Sequence, residues 1–163
     1  IVCWFQGRME AGSRALGNRS ILADPRDSEM KDKINALVKH REWYRPFAPS
    51  VLEEMQEEYF DVSHTSPYMQ MVHPIKKRYH SVIPAVTHVD GSGRLQTVQK
   101  KTNPKYWNLI NEFKSLTGVG VVLNTSFNDN DEPIVCTPKQ AIRTFFGTGL
   151  SELYIGSYRV KKT

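Results

Sequence analysis

A mixed α/β domain, with strands and helices intermixed along one chain, is what this sequence predicts. Strand-length apolar runs recur from the first residues to the last, several segments carry helical spacing, and no repeat, low-complexity tract or linker divides them. At 163 residues the chain has the length of a single domain with a real core.

Ile1–Phe5 reads as a first strand and runs into the glycine-rich stretch Gly7 to Gly17. Ile21-Leu-Ala is a short apolar run closed by the turn signal Asp24-Pro25-Arg26. Ser28 stands where an N-cap belongs, with Lys31 in place of the usual capping-box acid, and Met30, Ile34 and Leu37/Val38 then share one face of a helix over Glu29–Val38. Phe47–Leu52 is a strand in spite of Pro49, and the acidic segment Glu53–Phe60 is helical. Tyr68–Val72 and Val82–Val89 alternate as strands do, Asp90-Gly-Ser-Gly93 turns, and Leu95–Val98 returns. Pro104–Thr117 is the clearest helix, with Trp107, Ile110 and Phe113 at helical spacing and Gly118 as its stop. Val119–Leu123 is an apolar strand that ends in Asn124-Thr-Ser-Phe-Asn128. Thr137-Pro138 opens a helix to about Phe146, as cap and then proline at the first position. Leu153–Ile155 and Tyr158–Val160 close the chain as a strand or hairpin.

Composition narrows the function classes. Apolar residues are 39% and charged residues 24% of the chain, which is ordinary for a soluble globular protein and argues against disorder. No apolar run approaches the roughly 18 residues of a membrane-spanning helix. Two cysteines, Cys3 and Cys136, make no disulfide framework, and no Cys/His spacing marks a zinc site. The net charge of +5 favours an anionic partner: nucleic acid, acidic lipid or a phosphorylated small molecule. The chain opens at Ile1 with neither methionine nor a charged leader, so it is expected to lack a signal peptide and to be a fragment of a longer protein.

Three segments carry chemistry. In Gly12-Ser-Arg-Ala-Leu-Gly-Asn-Arg-Ser20, Arg14 and Arg19 share a loop with Gly12 and Gly17, where backbone can approach a ligand and a guanidinium can fork onto phosphate or carboxylate. It is neither a Walker loop nor a dinucleotide fingerprint, and a tight turn with surface arginines is the competing reading. In Lys39-x-Arg41-x-x-x-Arg45-Pro46, extended backbone would put Lys39, Arg41 and Arg45 on one side, a convergence of cations that a polyanion would relieve. The alternative is a solvated basic face with Glu42 as partial neutraliser. In Asn124-Thr-Ser-Phe-Asn128, small amide and hydroxyl side chains at the end of a core strand suit a polar ligand, or simply cap the strand with an Asx/ST turn.

The remaining polar residues read more plainly. His73, His80 and His88 lie seven and eight residues apart without a fixing carboxylate and are read as structural or surface histidines. Lys76-Lys-Arg78 and Lys100-Lys101 are solvated runs or extensions of a basic groove. Glu10 orients Arg14 or is a plain surface acid, and Asp90-Gly-Ser-Gly-Arg94 is a turn that also brings Arg94 into play. No nucleophile with an adjacent base and no pair of carboxylates stands out.

Taken together, Gly7-Arg-Met-Glu-Ala-Gly-Ser-Arg-Ala-Leu-Gly-Asn-Arg-Ser-Ile-Leu-Ala-Asp-Pro-Arg26, Lys39-His-Arg-Glu-Trp-Tyr-Arg-Pro-Phe-Ala-Pro-Ser-Val51, Ile83–Val98, Leu123–Asn128 and Glu132-Pro-Ile-Val135 resemble the C-terminal domain of the O-carbamoyltransferases of nodulation-factor and antibiotic modification. The similarity spans nearly the whole chain, with Ser13 where that family usually has proline. It implies a YrdC-like α+β domain of three layers, a twisted mixed sheet with flanking helices, over residues 1–163, with residues 1–20 partly at the junction to an N-terminal domain. Lys39-x-Arg41 with Arg45-Pro46, and Thr125-Ser-x-Asn128, echo the wider YrdC-like group.

The resemblance further implies ATP and carbamoyl phosphate as substrates and carbamoyladenylate as product. The carbamoyl group would then pass to an acceptor hydroxyl in a Kae1-like N-terminal domain, which holds the family's metal site. Lys39, Arg41 and Ser126 would be catalytic, and Arg14, Arg19, Arg45, Arg94, Asn124 and Asn128 would hold nucleotide and carbamoyl phosphate, with magnesium carried on the nucleotide and no metal ligand from this chain. A cytoplasmic setting without membrane or nucleic acid is expected. The rival is a basic YrdC-like RNA-binding module without catalysis.

Overall fold

In a computed structural model of the chain, which describes residues 1–130 and 132–162, the strands are β1 (Val2–Phe5), β2 (Arg19–Ala23), β3 (Ala48–Leu52), β4 (Val72–Pro74), β5 (Ser92–Arg94), β6 (Gln96–Val98), β7 (Val121–Ser126), β8 (Glu152–Ile155) and β9 (Tyr158–Lys161). The helices are α1 (Met30–Ile34), α2 (Gln56–Tyr59), α3 (Pro104–Thr117) and α4 (Pro138–Gly147). The result is the expected α+β fold, with parallel and antiparallel strand pairs and helices against them. The residues fall into two compact units, one of 1–23, 29–45 and 124–163 and the other of 24–28 and 46–123.

In the first unit, β1 runs antiparallel to β2, with Cys3 opposite Ile21, and parallel to β8, with Cys3 opposite Leu153. β8 then turns through Gly156, at φ 59°, into antiparallel β9. Helix α4 packs on β1 and β8. It begins with a full capping box: Thr137 accepts from the Gln140 amide N–H, the Gln140 side chain reaches back, and Pro138 starts the first turn. Cys3, Ile21, Ile34, Val38, Phe127, Ala141, Phe145 and Leu153 are closed to solvent.

In the second unit, β3 pairs in parallel with β6, Ser50 opposite Gln96, and α3 packs on β3. Asn103 caps α3 through its side chain onto the Tyr106 N–H, and Gly118 ends it at φ 78°, a left-handed position that favours glycine. Val51, Leu52, Phe60, Ile83, Leu95, Tyr106, Ile110 and Val121 form its core. A separate two-stranded antiparallel sheet pairs β4 with β5, Val72 opposite Arg94.

Four expectations are corrected. Ser28 does not cap a helix: α1 starts after Glu29 with no side-chain cap, is α-helical only to Ile34, and widens into a π turn over Asn35–Lys39. Val82–Val89 is not a strand, because Pro84 has no N–H for a ladder and opens a 3₁₀ turn over Pro84–Val86. Tyr68–Val72 is irregular, with Met69 at φ 53°, and the strand begins only at Val72. The apolar run at Ile21 extends back to Arg19, and β7 extends forward to Ser126, so Arg19, Asn124 and Ser126 stand in strands and not in loops.

Candidate functional site

The centre of the site is made by the end of the first helix. The buried face of Met30, Ile34 and Val38 holds this segment on the first unit's core, and the π turn rotates Lys39 inward. His40, at φ 44°, stops the turn and its N–H returns to the Asn35 carbonyl at 2.8 Å. The Gly149 N–H on the Leu37 carbonyl, at 2.9 Å, fixes the turn from the other side. Lys39 is consequently helical and only 4% exposed. The extended strand that would have aligned Lys39, Arg41 and Arg45 on one face does not form.

The Lys39 ammonium is surrounded by oxygen. Nζ donates to the Ser126 carbonyl at 2.7 Å, to Asn128 Oδ1 at 2.8 Å and to the Asn128 carbonyl at 2.9 Å, with Ser126 Oγ at 3.3 Å. The Ser126 hydroxyl in turn donates to Asn128 Oδ1 at 2.6 Å. Its proton thus points at an amide oxygen, and Lys39 and Ser126 do not form a base–nucleophile pair. Asn128 Nδ2 closes the turn on the carbonyls of Asp129 (3.0 Å) and Glu132 (2.7 Å). Burial, and then Arg41, push Lys39 down to about 7, against the opposing pull of Asp129 and Cys3. Burial also pushes the Cys3 thiol up to about 12, so it remains a neutral thiol at physiological pH.

The glycine-rich loop lies in the same unit. Glu10 Oε1 accepts the backbone N–H groups of Leu16 (2.7 Å), Asn18 (2.7 Å) and Arg19 (3.4 Å). Ser20 Oγ takes the Gly17 N–H, the Trp4 indole donates to the Gly17 carbonyl, and Asn124 Nδ2 donates to the Ala15 carbonyl at 3.2 Å. Glu10 therefore organises backbone, and Arg14 stays exposed beside the residue that Asn124 holds. Arg19 is buried over the Phe5 ring at 3.6 Å and donates to the carbonyls of Gln6, Gly7, Asn18 and Cys136. Burial lowers its pKa, with Glu10 opposing.

Of the nine sequence-predicted residues, Lys39, Ser126 and Asn128 are joined by direct bonds, Arg41 acts on Lys39 through charge, and Asn124 ties the strand end to the Arg14 loop. Arg19 is built into the backbone of that loop and presents no fork to a ligand. Arg45 is exposed and pairs with Glu42 at 3.4 Å. Arg94 lies in the second unit, on β5. Sequence reasoning missed Asp129, whose carboxylate opposes the fall in the Lys39 pKa; its place next to Asn128 was the available signal. The described polar groups can hold an anion on arginines, next to a buried cation clasped by neutral oxygens.

A family model described as Carbamoyltransferase C-terminus matches residues 1–162. The chain is 53% identical over 165 residues to nodulation protein NolNO of Sinorhizobium fredii, covering 99% of this chain and 24% of that protein. It is likewise 53% identical to nodulation protein NolO of Bradyrhizobium diazoefficiens, covering 99% of this chain and 30% of that protein. With the 3'-hydroxymethylcephem-O-carbamoyltransferase of Amycolatopsis lactamdurans it shares 39% identity over 156 residues, 96% of this chain and 29% of that enzyme. The chain thus spans less than a third of the length of these relatives, and it belongs to the carbamoyltransferase C-terminal family.

Proposed function

We propose that this carbamoyltransferase C-terminal domain is YrdC-like and forms carbamoyladenylate from ATP and carbamoyl phosphate. Water releases phosphate from carbamoyl phosphate and leaves carbamate. A carbamate oxygen then bonds to the α-phosphorus of ATP as the bond to pyrophosphate breaks. The carbamoyl group passes on to an acceptor hydroxyl, with AMP leaving, in a Kae1-like N-terminal domain that also carries the metal site. Magnesium belongs to this reading as the nucleotide's counter-ion, held mainly by phosphate oxygens. The setting is the cytoplasm; among the described residues no helix is long and apolar enough to cross a membrane.

The observation that carries the proposal is the Lys39–Ser126–Asn128 cluster, with Arg41 close enough to depress the Lys39 pKa. Adenylation asks a protein for positioning and for charge stabilisation at phosphorus, and demands no protein nucleophile. Arg41, with exposed Arg14 and Arg45 in the same unit, supplies guanidinium groups to phosphate, and Ser126 and Asn128 supply neutral polar groups to the carbamoyl end.

Calorimetric titration of the chain with ATP or a non-hydrolysable analogue, with and without magnesium, tests this reading. Binding that Arg41→Ala weakens by about tenfold is expected, the scale of one charged hydrogen bond. No binding under either condition overturns it. Steeply salt-dependent RNA binding, untouched by Lys39→Ala with Arg41→Ala, would establish the nucleic-acid alternative instead.

A further inference from the structure

Two histidines that the proposed chemistry does not use, His64 and His73, meet in the second unit. The segment that joins them is closed at its base and pinned at its middle. At the base the Asp61 N–H bonds the Pro74 carbonyl at 2.9 Å, and Phe60 bridges Ile75. At the middle Ser66 is buried and locked onto Leu95 and Thr97. Its N–H donates to Thr97 Oγ1 at 2.9 Å and its hydroxyl to the Leu95 carbonyl at 3.1 Å. Its carbonyl accepts the Thr97 N–H at 2.9 Å. His64 stands two residues before that lock and is exposed. His73 stands on β4 opposite Gly93, on the buried face of the ladder, while Val72 and Arg94 pair on the other face.

The two imidazole rings lie 5.3 Å apart, centre to centre, with their planes at 66°. A tetrahedral metal ion about 2.0–2.1 Å from one nitrogen of each ring sets the ring centres about 5 Å apart, which is this spacing. His73 is 7% exposed, and its Nε2 is closed to solvent without a hydrogen-bond partner. A buried nitrogen left unpaired costs free energy that a bound ion recovers. Burial, and then His64, lower the His73 pKa, so at neutral pH the ring is neutral and has a lone pair to give. We propose that His64 and His73 are the two protein ligands of a divalent d-block cation of the zinc class, which staples the exposed limb of the 61–74 segment to β4. Among the described residues no third His, Cys, Asp or Glu joins the pair, so water completes the coordination. Imidazole ligands without a carboxylate suit zinc, copper or nickel and not magnesium or calcium. His73 is the fixed half of the site, and exposed His64 turns its ring toward it.

Calorimetric titration of the metal-stripped chain with zinc chloride, near pH 7.5, reads the site directly. One zinc ion per chain is expected, with affinity that His64→Ala and His73→Gln each weaken by about tenfold or more. The double variant should be no weaker than the worse single one, because one imidazole alone cannot chelate. Cys136→Ser removes the exposed thiol, the other soft ligand on the surface, and should leave the affinity within about twofold. His64→Ala changes an exposed side chain, so it decides the matter even if His73→Gln does not fold. Zinc affinity unchanged in His64→Ala, zinc affinity lost in Cys136→Ser, or a parent chain that binds no zinc would each overturn the site.

The staple is read from proteolysis of the same segment. Tyr68 is 61% exposed between the two histidines and offers a chymotryptic site. Zinc is expected to slow cleavage there several-fold in the parent and not in His64→Ala, since only the parent can close the segment around the ion. Equal cleavage rates with and without zinc in the parent would overturn the staple. Millimolar magnesium should neither displace the zinc nor protect Tyr68. Displacement by magnesium would mean oxygen ligands, and would overturn the assignment to the two imidazoles. None of these measurements involves ATP, so they stand or fall apart from the proposed adenylation.

Discussion

Arg14 and Arg19 share one glycine-rich segment and were read from sequence as a pair, yet the fold uses them in opposite ways. Arg19 stands on β2, opposite Phe5, with its guanidinium on main-chain carbonyls of the loop and of Cys136. Arg14 is in the loop and exposed. Glu10 completes the contrast by gathering the Leu16, Asn18 and Arg19 N–H groups that the loop leaves pointing inward. One anion and one cation thus take several of the loop's donors and acceptors, and the second cation stays exposed on the same loop. Residue type marked both arginines as binders. The local backbone demand, invisible in a motif, decides which of them is architecture.

The largest effect should come from breaking the architectural member. Arg19→Met leaves the Gln6, Gly7, Asn18 and Cys136 carbonyls without their common donor, and is expected to cost about 3–5 kcal/mol of unfolding free energy. Arg14→Ala should change stability by less than about 0.5 kcal/mol. Urea denaturation of both variants measures the two on one scale. Equal losses would remove the distinction.

Legibility followed the same division. The capped helices α3 and α4, the closing hairpin and strands β1 and β3 were readable because their signals are local: Asn103-Pro104, Thr137-Pro138, Gly118 and alternating apolar runs. The cluster residues Lys39, Ser126 and Asn128 were also named from sequence, but their geometry was not. It depends on a π turn that brings a lysine inward onto a turn more than 80 positions away, and no residue spacing encodes that contact. The failure at Val82–Val89 is of another kind: apolar alternation there suggests a strand, while Pro84 within it denies the ladder a donor. The main-chain bonding of Arg19 and Glu10 is illegible in the sequence, because hydrogen bonding to main chain carries no sequence signature.

A second contrast sets Lys39 against Arg41, two residues apart, one buried and one half-buried. Burial and Arg41 together hold the Lys39 pKa at about 7, below its ordinary 10.5. Between these values the unfolded chain binds a proton that the folded chain has released. The Lys39 contribution therefore makes stability rise with pH across that window, and below about 7 the cost of a buried charge is present in full. Arg41→Ala removes the second-largest cause of the depression, so the Lys39 pKa should move upward and the window narrow from its lower end. A titration of the Lys39 side chain by NMR reads this directly. A pKa that does not rise would show Arg41 too far away, or too well screened, to act on the site.

The smallest effect is expected where the sequence placed a cation of equal rank. Arg45 meets Glu42 at 3.4 Å, three residues away, and both side chains are about half exposed. Water and salt screen such a pair, and holding two long side chains together costs entropy that offsets most of the attraction. Glu42→Gln should therefore leave the urea midpoint within the scatter of repeat measurements. What the substitution does change is the charge beside Arg45. If Arg45 serves phosphate, releasing it from Glu42 should tighten ATP at low salt, an advantage that fades as ionic strength rises and the Debye length shrinks below about 10 Å. Calorimetry of Glu42→Gln at two salt concentrations separates the possibilities. Affinity that stays at the parent value at both would place Arg45 with Arg19 and not with Arg14, as a cation the motif contains and the anion does not use.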